Sequence, residues 1–332
     1  MADAATVKDS KAKTVLKTIF NNKIILAFFL VVLLFIAGEI IVPGFAKFNH
    51  VMSVLQAAFF LGLVALGQTI VVVSGKEGLD MSVGAAVTLG VVLGAAIING
   101  NDANLLPAIL ITLGSGFLLG VVNGVGVSIL NLAPLIMTMA WGIVIEGGIL
   151  FIIKGHMFGT GSPALEFLGH GALHLGSLTV PSVVMIWIVL IVIVLFLMNR
   201  TRPGRILYAI GENDRAAELL GIRTRLVRIA IYGISGAVSC LSGLLLLGFV
   251  GSAHLNLGAR YVLPSCVAVI IGGIRFGGGA GSYLGAVAGC IFLTTLQSIL
   301  TTLQLSEGGR QTITGLVLIV LLLAYTRGSR RQ

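Results

Sequence analysis

Charged side chains are scarce in this sequence, at 10% of its 332 residues, whereas hydrophobic residues make up 57%. A soluble domain of this length needs more polar surface than so few charges supply. The mean hydropathy is high, at +1.08. The composition therefore predicts an integral membrane protein that crosses the bilayer many times.

Other absences bear on whether the chain has a metal site, a nucleotide site or a catalytic site. The three cysteines, Cys240, Cys266 and Cys290, all lie in apolar stretches and at no metal-ligand spacing, so we interpret them as small buried hydrophobic residues. The phosphate-loop pattern G-x-x-x-x-G-K-[ST] does not occur. No Ser/His/Asp set, carboxylate pair or metal-ligand cluster is evident in the sequence. The sequence therefore predicts neither an active site nor a metal site.

The positive charge of the chain is concentrated in three places. Lys and Arg number 21 against 12 Asp and Glu, a net charge of +9. They cluster at the amino terminus, in the segment 199–228 and at the carboxy terminus. Basic segments resist translocation, so we expect all three on the cytoplasmic side of the membrane. The positive charge therefore indicates which segments face the cytoplasm, and it does not indicate a nucleic-acid surface.

The apolar runs predict ten transmembrane helices in a single all-α domain over residues 24–326. A basic cytoplasmic tail (1–23) precedes the domain and a cytoplasmic tail (327–332) follows it. An even number of crossings places both termini in the cytoplasm. The predicted spans are about 24–42, 51–73, 81–99, 105–129, 134–153, 181–198, 229–250, 263–274, 282–303 and 310–326.

Two glycine-rich breaks, 74–80 and 272–279, are expected to interrupt helices, and they resemble the equivalent halves of an internal repeat. The eighth span is short for the same reason. The longest external loop is predicted at 154–180. His170 and His174 lie four residues apart in it, but no further ligands accompany them, so a polar loop is favoured over a metal site.

The segment 199–228 carries seven Arg and three acids and lies between two predicted spans. Within it, Asn213 is a favourable N-cap, acids occupy the first turn, and Gly221 is a favourable stop. The sequence thus predicts a short helix over 213–220. Such a helix on a cytoplasmic loop suits the docking of a soluble partner. The alternative is an ordinary capped loop helix, and spacing alone does not decide between the two.

Five stretches resemble, in order, the motifs of ribose-type ABC importer permeases, which belong to the branched-chain amino acid/ribose permease superfamily. The stretches are 78–84 (GLDMSVG), 120–124 (GVVNG), 203–211 (PGRILYAIG), 211–222 (G-x-N-x-x-A-A-x-x-x-G-I) and 268–273 (AVIIGG) with the glycines as far as Gly281. The resemblance covers about residues 50–326. It implies a type II-like ABC importer permease fold with glycine-rich broken helices.

The resemblance also implies partners. This chain is expected to be a transport subunit and not an enzyme, located as a multi-pass protein in the bacterial inner (cytoplasmic) membrane. ATP and Mg are expected on a separate ATPase subunit. A periplasmic or lipoprotein sugar-binding protein is expected to deliver a monosaccharide, to which the 154–180 loop could contribute a docking surface. A single coupling helix per chain suggests a homodimer.

The stretch 211–222 corresponds to the family's coupling helix, which sits in a groove of the ATPase. Ala216 and Ala217 are expected to form the narrow face that approaches this groove. The residues implied at the ATPase contact are Gly211, Asn213, Asp214, Ala216, Ala217, Glu218 and Gly221.

Polar residues in or beside the spans are candidates for lining the route of a neutral, hydroxyl-rich solute. They are Gln56, Gln68, Asp80, Ser82, Asn123, Glu146 and Gln297. Their alternative role is hydrogen bonding between helices, and Asp80 with Ser82 also fits a helix cap. Glu146 stands out because a carboxylate near the middle of a span is costly. Glu146 stands where the family often has Arg, and Val262 and Pro264 stand where it usually has acids, so the sugar itself stays open.

Two alternatives remain. Related permeases for nucleosides, amino acids or polyols share similar motifs. An ion-coupled secondary transporter, with Glu146 or Glu39 carrying protons, belongs to a different class. The capped helix in the Arg-rich segment favours the ABC importer, because a secondary transporter needs no ATPase dock.

Overall fold

A computed structural model describes residues 23–154, 159–176 and 178–329 of the chain. In chain order the elements are α1 (Lys23–Ile41), α2 (Phe48–Val73), α3 (Val83–Ile98), a 3-10 turn (Asp102–Asn104), α4 (Leu105–Ser128), α5 (Pro134–Ile153), α6 (Pro163–His170), β1 (Ala172–Leu175), β2 (Leu178–Pro181), α7 (Ser182–Arg200), α8 (Arg202–Glu212), α9 (Asp214–Leu219), α10 (Thr224–Val250), α11 (Ala259–Ile271), α12 (Tyr283–Thr302) and α13 (Glu307–Ser329). The predicted amino-terminal tail, apart from Lys23, and residues 330–332 lie outside the described residues.

Each predicted span coincides with one helix of the structure. Within the described residues, seven helical segments are long and apolar enough to cross a membrane, and α3 and α11 are shorter apolar helices. The eighth span, α11, has 13 residues and contains Pro264, in agreement with its predicted shortness. The structure thus confirms a mostly helical protein with several membrane spans, whereas ten crossings and the type II-like arrangement stay predictions.

Two helices, α2 and α10, form the centre of the bundle. The apolar window of α2 is 89% buried, against 17% for α1, which places α1 at the periphery. Glycines allow α10 to approach its neighbours closely. A Cβ added at Gly120 of α4 would lie 2.0 Å from Tyr232 O, and one at Gly243 would lie 2.0 Å from Val87 O. Small residues at helix contacts are typical of packing in membranes.

The two ends of the bundle differ in character. We call the end that carries α8 and α9 the loop end and the end that carries α6 and the β-hairpin the hairpin end. The helix α10 starts directly after α9 and reaches α6, where a Cβ at Gly169 would lie 2.5 Å from Gly248 C. The 27 residues of α10 correspond to about 40 Å of helix. The two ends are therefore on opposite sides of the bundle.

The described part of the loop predicted at 154–180 contains a short helix and a β-hairpin. Ser162 caps α6 by accepting a hydrogen bond from Leu165 N at 3.4 Å. The strands β1 and β2 then pair antiparallel, with Ala172 opposite Pro181. The fold is therefore not purely α-helical. Each strand has only four residues, too short a pattern to distinguish from a loop in the sequence.

The histidines of this region have local partners. The ring of His170 lies 5.5 Å from that of Phe249, and His174 Nδ1 lies 3.2 Å from Thr179 Oγ1. The described part of the chain holds no group of three His, Cys, Asp or Glu residues that could bind a metal ion.

We expect the hairpin end outside the cell and the loop end inside, because the loop end carries the Arg-rich segment. A cysteine introduced at exposed His174 should react with a membrane-impermeant thiol reagent in intact cells, whereas one at exposed Arg223 should react only after lysis. The native cysteines are buried and should give little background. The reverse labelling pattern would invert the topology.

Candidate functional site

The helix α9 has six residues, and local hydrogen bonds fix both of its ends. At its start, Asn213 Oδ1 accepts a hydrogen bond from Ala216 N at 3.0 Å. At its end, Gly221 has a φ of +82°, and Ile222 N donates to Ala217 O at 3.1 Å. Glycine is favoured in this left-handed turn. The predicted start and stop of the helix are both confirmed.

The exposed face of α9 differs from the predicted one. Ala217 is 2% exposed and belongs to the hydrophobic core, whereas Leu219 and Leu220 are 85% and 81% exposed. Ala216 is exposed as well. The expectation that Ala217 faces a partner is wrong, because its methyl group packs α9 against its own bundle. Arg215 and Glu218 are exposed too, and we call the exposed apolar residues Ala216, Leu219 and Leu220 the α9 surface.

An ion pair anchors the start of α9 to α10. Arg228 Nη1 and Nη2 donate to Asp214 Oδ2 and Oδ1, both at 3.1 Å. Arg228 Nη2 also donates to Ser74 O at 3.2 Å, and Lys76 Nζ lies 3.2 Å from Asp214 Oδ2. Arg228 is only 1% exposed, so its charge depends on the carboxylate that meets it. Arg228 was not among the predicted site residues. The available signal was an arginine near the start of a long apolar helix.

The electrostatics of Asp214 follow from these contacts. Partial burial alone would raise the pKa of the Asp214 carboxyl. The hydrogen bonds and charges of Arg228 and Lys76 outweigh burial and hold the pKa below its ordinary value. Asp214 is therefore ionised at neutral pH, and the pair with Arg228 is a charged one.

A second contact fixes the end of α9. Glu218 Oε1 accepts a hydrogen bond from Thr224 Oγ1 at 2.8 Å, and Thr224 is the first residue of α10. The helix α9 is thus joined to α10 near both of its ends. A displacement of α9 would be carried directly to the central helix of the bundle.

Gly211, two residues before the N-cap of α9, lies where three chain segments meet. A Cβ at Gly211 would lie 1.9 Å from Val73 O and 2.4 Å from Gly279 N. Gly279 N donates to Val73 O at 2.9 Å. A Cβ at Gly278 would lie 2.4 Å from Gly75 Cα. We call Gly75, Gly211, Gly278 and Gly279 the glycine junction. Both predicted glycine-rich breaks are therefore connections between helices, and they contact each other here.

Four of the predicted pathway residues form one network with Ser235 of α10. Gln68 Oε1 accepts from Asp80 N at 3.2 Å. Ser82 Oγ donates to Asp80 Oδ1 at 2.6 Å, and Asn123 Nδ2 donates to Ser82 Oγ at 2.7 Å. Ser235 Oγ donates to Asp80 Oδ2 at 2.9 Å. The network joins α2, α4 and α10 to the connection before α3.

Protein surrounds this network. Gln68, Asp80 and Asn123 are 0% exposed, and Ser82 is 4% exposed. The contacts support the interhelical role for these four residues, and their solute role stays a prediction that requires the network to open.

Asp80, and not Ser82, caps the start of α3 with its side chain. Asp80 Oδ1 accepts from Ser82 N at 3.1 Å, whereas the Ser82 side chain makes no cap.

Gln297 lies in a cavity of about 370 Å³ at the hairpin end, between α2, α11, α12 and α13. Gln297 Nε2 donates to Thr314 Oγ1 at 2.9 Å. Arg310 donates to Thr301 Oγ1 at 2.8 Å and pairs with Glu307. The other polar residues of the lining are Arg260, Tyr261 and Thr294. Hydroxyl, amide and guanidinium groups together can bind a hydroxylated solute.

Gln56 is a further pathway candidate, and Pro264 and Val262 are two of the positions where the sequence differs from the family pattern. Gln56 Nε2 donates to Gly169 O at 3.3 Å and so joins α2 to α6. Pro264 lines the cavity of Gln297, whereas Val262 contacts Gly84 of α3. The structure thus brings Gln297 to an accessible cavity and gives Gln56 a partner between helices.

Glu146 lies on the exposed face of α5, among apolar residues such as Ile143, which is 69% exposed. It makes no hydrogen bond or ion pair with any described residue. A Cβ added at Gly147 or Gly148 would meet no atom within 4 Å. A carboxylate in lipid at this depth is costly. This face of α5 therefore requires water or another protein surface beside it.

Glu39, the other acid considered as a proton carrier, has a local role. Its carboxylate accepts hydrogen bonds from Gly44 N at 2.8 Å and Ala46 N at 2.7 Å. These bonds hold the turn that follows α1.

Replacing Asp214 with Ala should leave the buried Arg228 guanidinium without its carboxylate and cost about 3–5 kcal/mol. Thermal unfolding in detergent would measure the loss of stability. Trypsin cleavage at exposed Arg215 would report the release of α9 from the bundle. Because the pKa of Asp214 is lowered in the folded protein, the difference from wild type should persist at neutral pH and shrink as the pH falls below about 3.9. The matched control is exposed Glu212→Ala, and an equal loss in both variants would contradict the anchor.

Comparisons with known proteins agree with the motifs. The family described as branched-chain amino acid transport system / permease component matches residues 50–325. The probable ABC transporter permease protein y4mJ of Sinorhizobium fredii is 32% identical over 304 residues, which are 91% of this chain and 89% of that protein. The autoinducer 2 import system permease protein LsrC of Escherichia coli (strain K12 / DH10B) is 31% identical over 325 residues, 96% of this chain and 93% of that protein.

The ribose import permease protein RbsC of Bacillus subtilis is 32% identical over 296 residues, 88% of this chain and 89% of that protein. No solved structure matches the chain. The family match spans most of the sequence and includes both the glycine junction and α9. The protein is therefore a multi-pass membrane protein that belongs to the family of branched-chain amino acid transport system permease components.

Proposed function

We propose that the protein is the transmembrane permease subunit of a binding-protein-dependent ABC importer for a monosaccharide or a similar hydroxylated solute. The observation that carries this proposal is α9, a rigid helix with an exposed apolar surface that is joined to the central helix. A separate ATPase subunit binds ATP and Mg and hydrolyses the nucleotide. Relatives that are named as ribose and autoinducer 2 import permeases support a sugar-like solute.

In this proposal α9 is the coupling helix. The α9 surface enters a groove of the ATPase, and the leucines bury their exposed area there. The contacts of Asp214 with Arg228 and of Glu218 with Thr224 then carry a displacement of α9 to α10. Close packing at the glycine contacts resists compression, so α10 transmits the displacement to α4 and α3.

The solute is proposed to enter at the opposite end. The cavity of Gln297 lies at the hairpin end and offers amide, hydroxyl and guanidinium groups to a hydroxylated ring. A binding protein that docks on α6 and the hairpin would release its solute close to this cavity. The ATPase dock and the entry site then lie at opposite ends of the bundle, as import across the inner membrane requires.

A second copy of the chain is proposed to face α5. The apolar helix α5 carries Glu146 on its exposed face with open space at Gly147 and Gly148. Two α5 faces on either side of a water-filled route would spare Glu146 from lipid. The proton-coupled alternative is less well supported, because the contacts of Glu39 are those of a turn and α9 has no role in such a transporter.

Replacing Leu219 and Leu220 with Arg should remove ATPase binding without unfolding the permease, because both side chains are exposed. Apolar anchors at interfaces are worth about 2 kcal/mol or more, so we expect binding at least about 30-fold weaker. The measurement is co-purification of the ATPase together with ATP hydrolysis in liposomes.

The matched control for this experiment is Leu303→Arg, an exposed leucine at the hairpin end. Ala217→Arg is expected to act differently and to lower the thermal stability of the permease itself, because Ala217 is buried. Wild-type ATPase binding by the Leu219→Arg/Leu220→Arg variant would show that α9 is not the dock.

A cysteine at Gly147 should be cross-linked between two copies of the chain in membranes by a bifunctional thiol reagent long enough to span the route, because α5 faces α5 across it. The control is a cysteine at Gly114 of α4, where an added Cβ also meets no atom within 4 Å. Non-reducing electrophoresis and the mass of the complex in detergent give the readout. A stable complex with one copy of this chain would refute the homodimer.

A further inference from the structure

An apolar groove of about 540 Å³ opens at the loop end between α2, α7, α8 and α10. Its walls include Ile70 of α2, Leu197 of α7, Leu207 of α8, and Ala230 and Ile234 of α10. Every residue of the lining is apolar. The volume falls in the range of about 300–1,000 Å³ that is usual for small-molecule sites. The natural occupant of such a groove is a hydrocarbon chain.

The groove runs along the bundle and opens to its outside. On α10 its lining extends from Val227 to Ile234, which corresponds to about 10 Å of helix. Ala230 and Ile234 are exposed, so this side of the groove faces the surroundings of the bundle. In a membrane protein those surroundings are lipid. A lipid chain can therefore enter the groove from the bilayer without any opening of the fold.

Three arginines neighbour, in the chain, the residues that line the groove at the end of α7 and the start of α8. Arg200 ends α7, and Arg202 and Arg205 lie in the first turn of α8 on either side of Pro203 and Gly204, which line the groove. All three arginines are exposed, and none pairs with an acid among the described residues. The apolar groove thus lies beside a segment that carries three exposed arginines.

The helix α8 has the character of an interfacial helix. Its residues Gly204, Leu207 and Ile210 are buried against the bundle, while Arg202 and Arg205 point away from it. Amphipathic helices with basic residues on one face lie at the boundary between headgroups and acyl chains. The arginines of α8 are then at the depth of the phosphate groups and the groove is at the depth of the acyl chains.

We propose that this groove is a binding site for one anionic phospholipid, which we call the lipid site. An acyl chain fills the apolar groove, and the phosphate accepts charge-assisted hydrogen bonds from Arg200, Arg202 and Arg205. Guanidinium groups are well suited to phosphate because they donate two parallel hydrogen bonds. A neutral lipid would match the groove but not the arginines, and a free phosphate would match the arginines but not the groove.

The lipid site has a consequence for the loop end. The helix α8 continues through Gly211 to the N-cap of α9, and Tyr208 Oη donates to Gly281 O at 2.7 Å. A lipid held against both α7 and α8 would fix the angle between them and so the direction in which α9 starts. The proposal needs only the membrane location of the chain and not the identity of its solute.

The experiment is native mass spectrometry of the full chain in detergent with added phosphatidylglycerol or phosphatidylcholine. We expect one phosphatidylglycerol to be retained per chain and phosphatidylcholine to dissociate. The Arg202→Gln/Arg205→Gln variant should bind phosphatidylglycerol about 30-fold more weakly, since each basic residue near the headgroups contributes about fivefold. Ala230→Trp should prevent binding by filling the groove, with all the charges kept.

Matched variants distinguish binding at the lipid site from a non-specific effect of positive charge. Arg223→Gln/Arg225→Gln removes the same charge at exposed positions outside the groove and should leave binding unchanged. Arg202→Lys/Arg205→Lys keeps the charge and should retain most of the binding. Equal retention of both lipids, an equal loss in the two Gln variants, displacement by inorganic phosphate at the same concentration, or unchanged binding in Ala230→Trp would each overturn the lipid site.

Discussion

The position of the loop end depends on one buried charge. Arg228 lies in the first turns of the central helix with almost no exposed surface, and its two terminal guanidinium nitrogens donate to Asp214 and to the carbonyl of Ser74. An unpaired guanidinium there would be costly, so the start of α9 has to meet it. Because Ser74 follows α2 directly, the same arginine also fixes the end of α2. A single side chain therefore links the start of α9 to both central helices.

The helix α10 connects this charge to the interior of the bundle. Ser235 lies seven residues after Arg228, about two turns along the same helix, and donates to Asp80. A shift of α10 relative to α2 either breaks this hydrogen bond or carries the whole connection before α3 with it. The buried network of Gln68, Asp80 and Asn123 would thus respond to a movement that begins at α9, although it has no contact with solute in this conformation.

Features set by local chemistry or by composition could be predicted from the sequence. The long helices follow from apolar runs, and the limits of α9 follow from an Asn cap and a Gly stop. Features that depend on tertiary contacts could not be predicted from the sequence. The inward direction of Ala217 is set by the bundle beneath it, and Arg228 was hidden among six other arginines of its segment. Likewise, polar residues of four segments hydrogen-bond to one another. Their spacing in the sequence does not reveal whether each meets a protein partner or a solute.

The glycine junction limits how this protein can vary. An added methyl group at Gly211 or Gly278 would come within 2.5 Å of backbone atoms of another segment, and backbone atoms cannot move aside as a flexible side chain does. Alanine, the smallest change available, would already separate two connections that now touch. A single replacement of either glycine by any other residue therefore disturbs the junction. Sequence variation at the loop end is confined to the side chains around the junction.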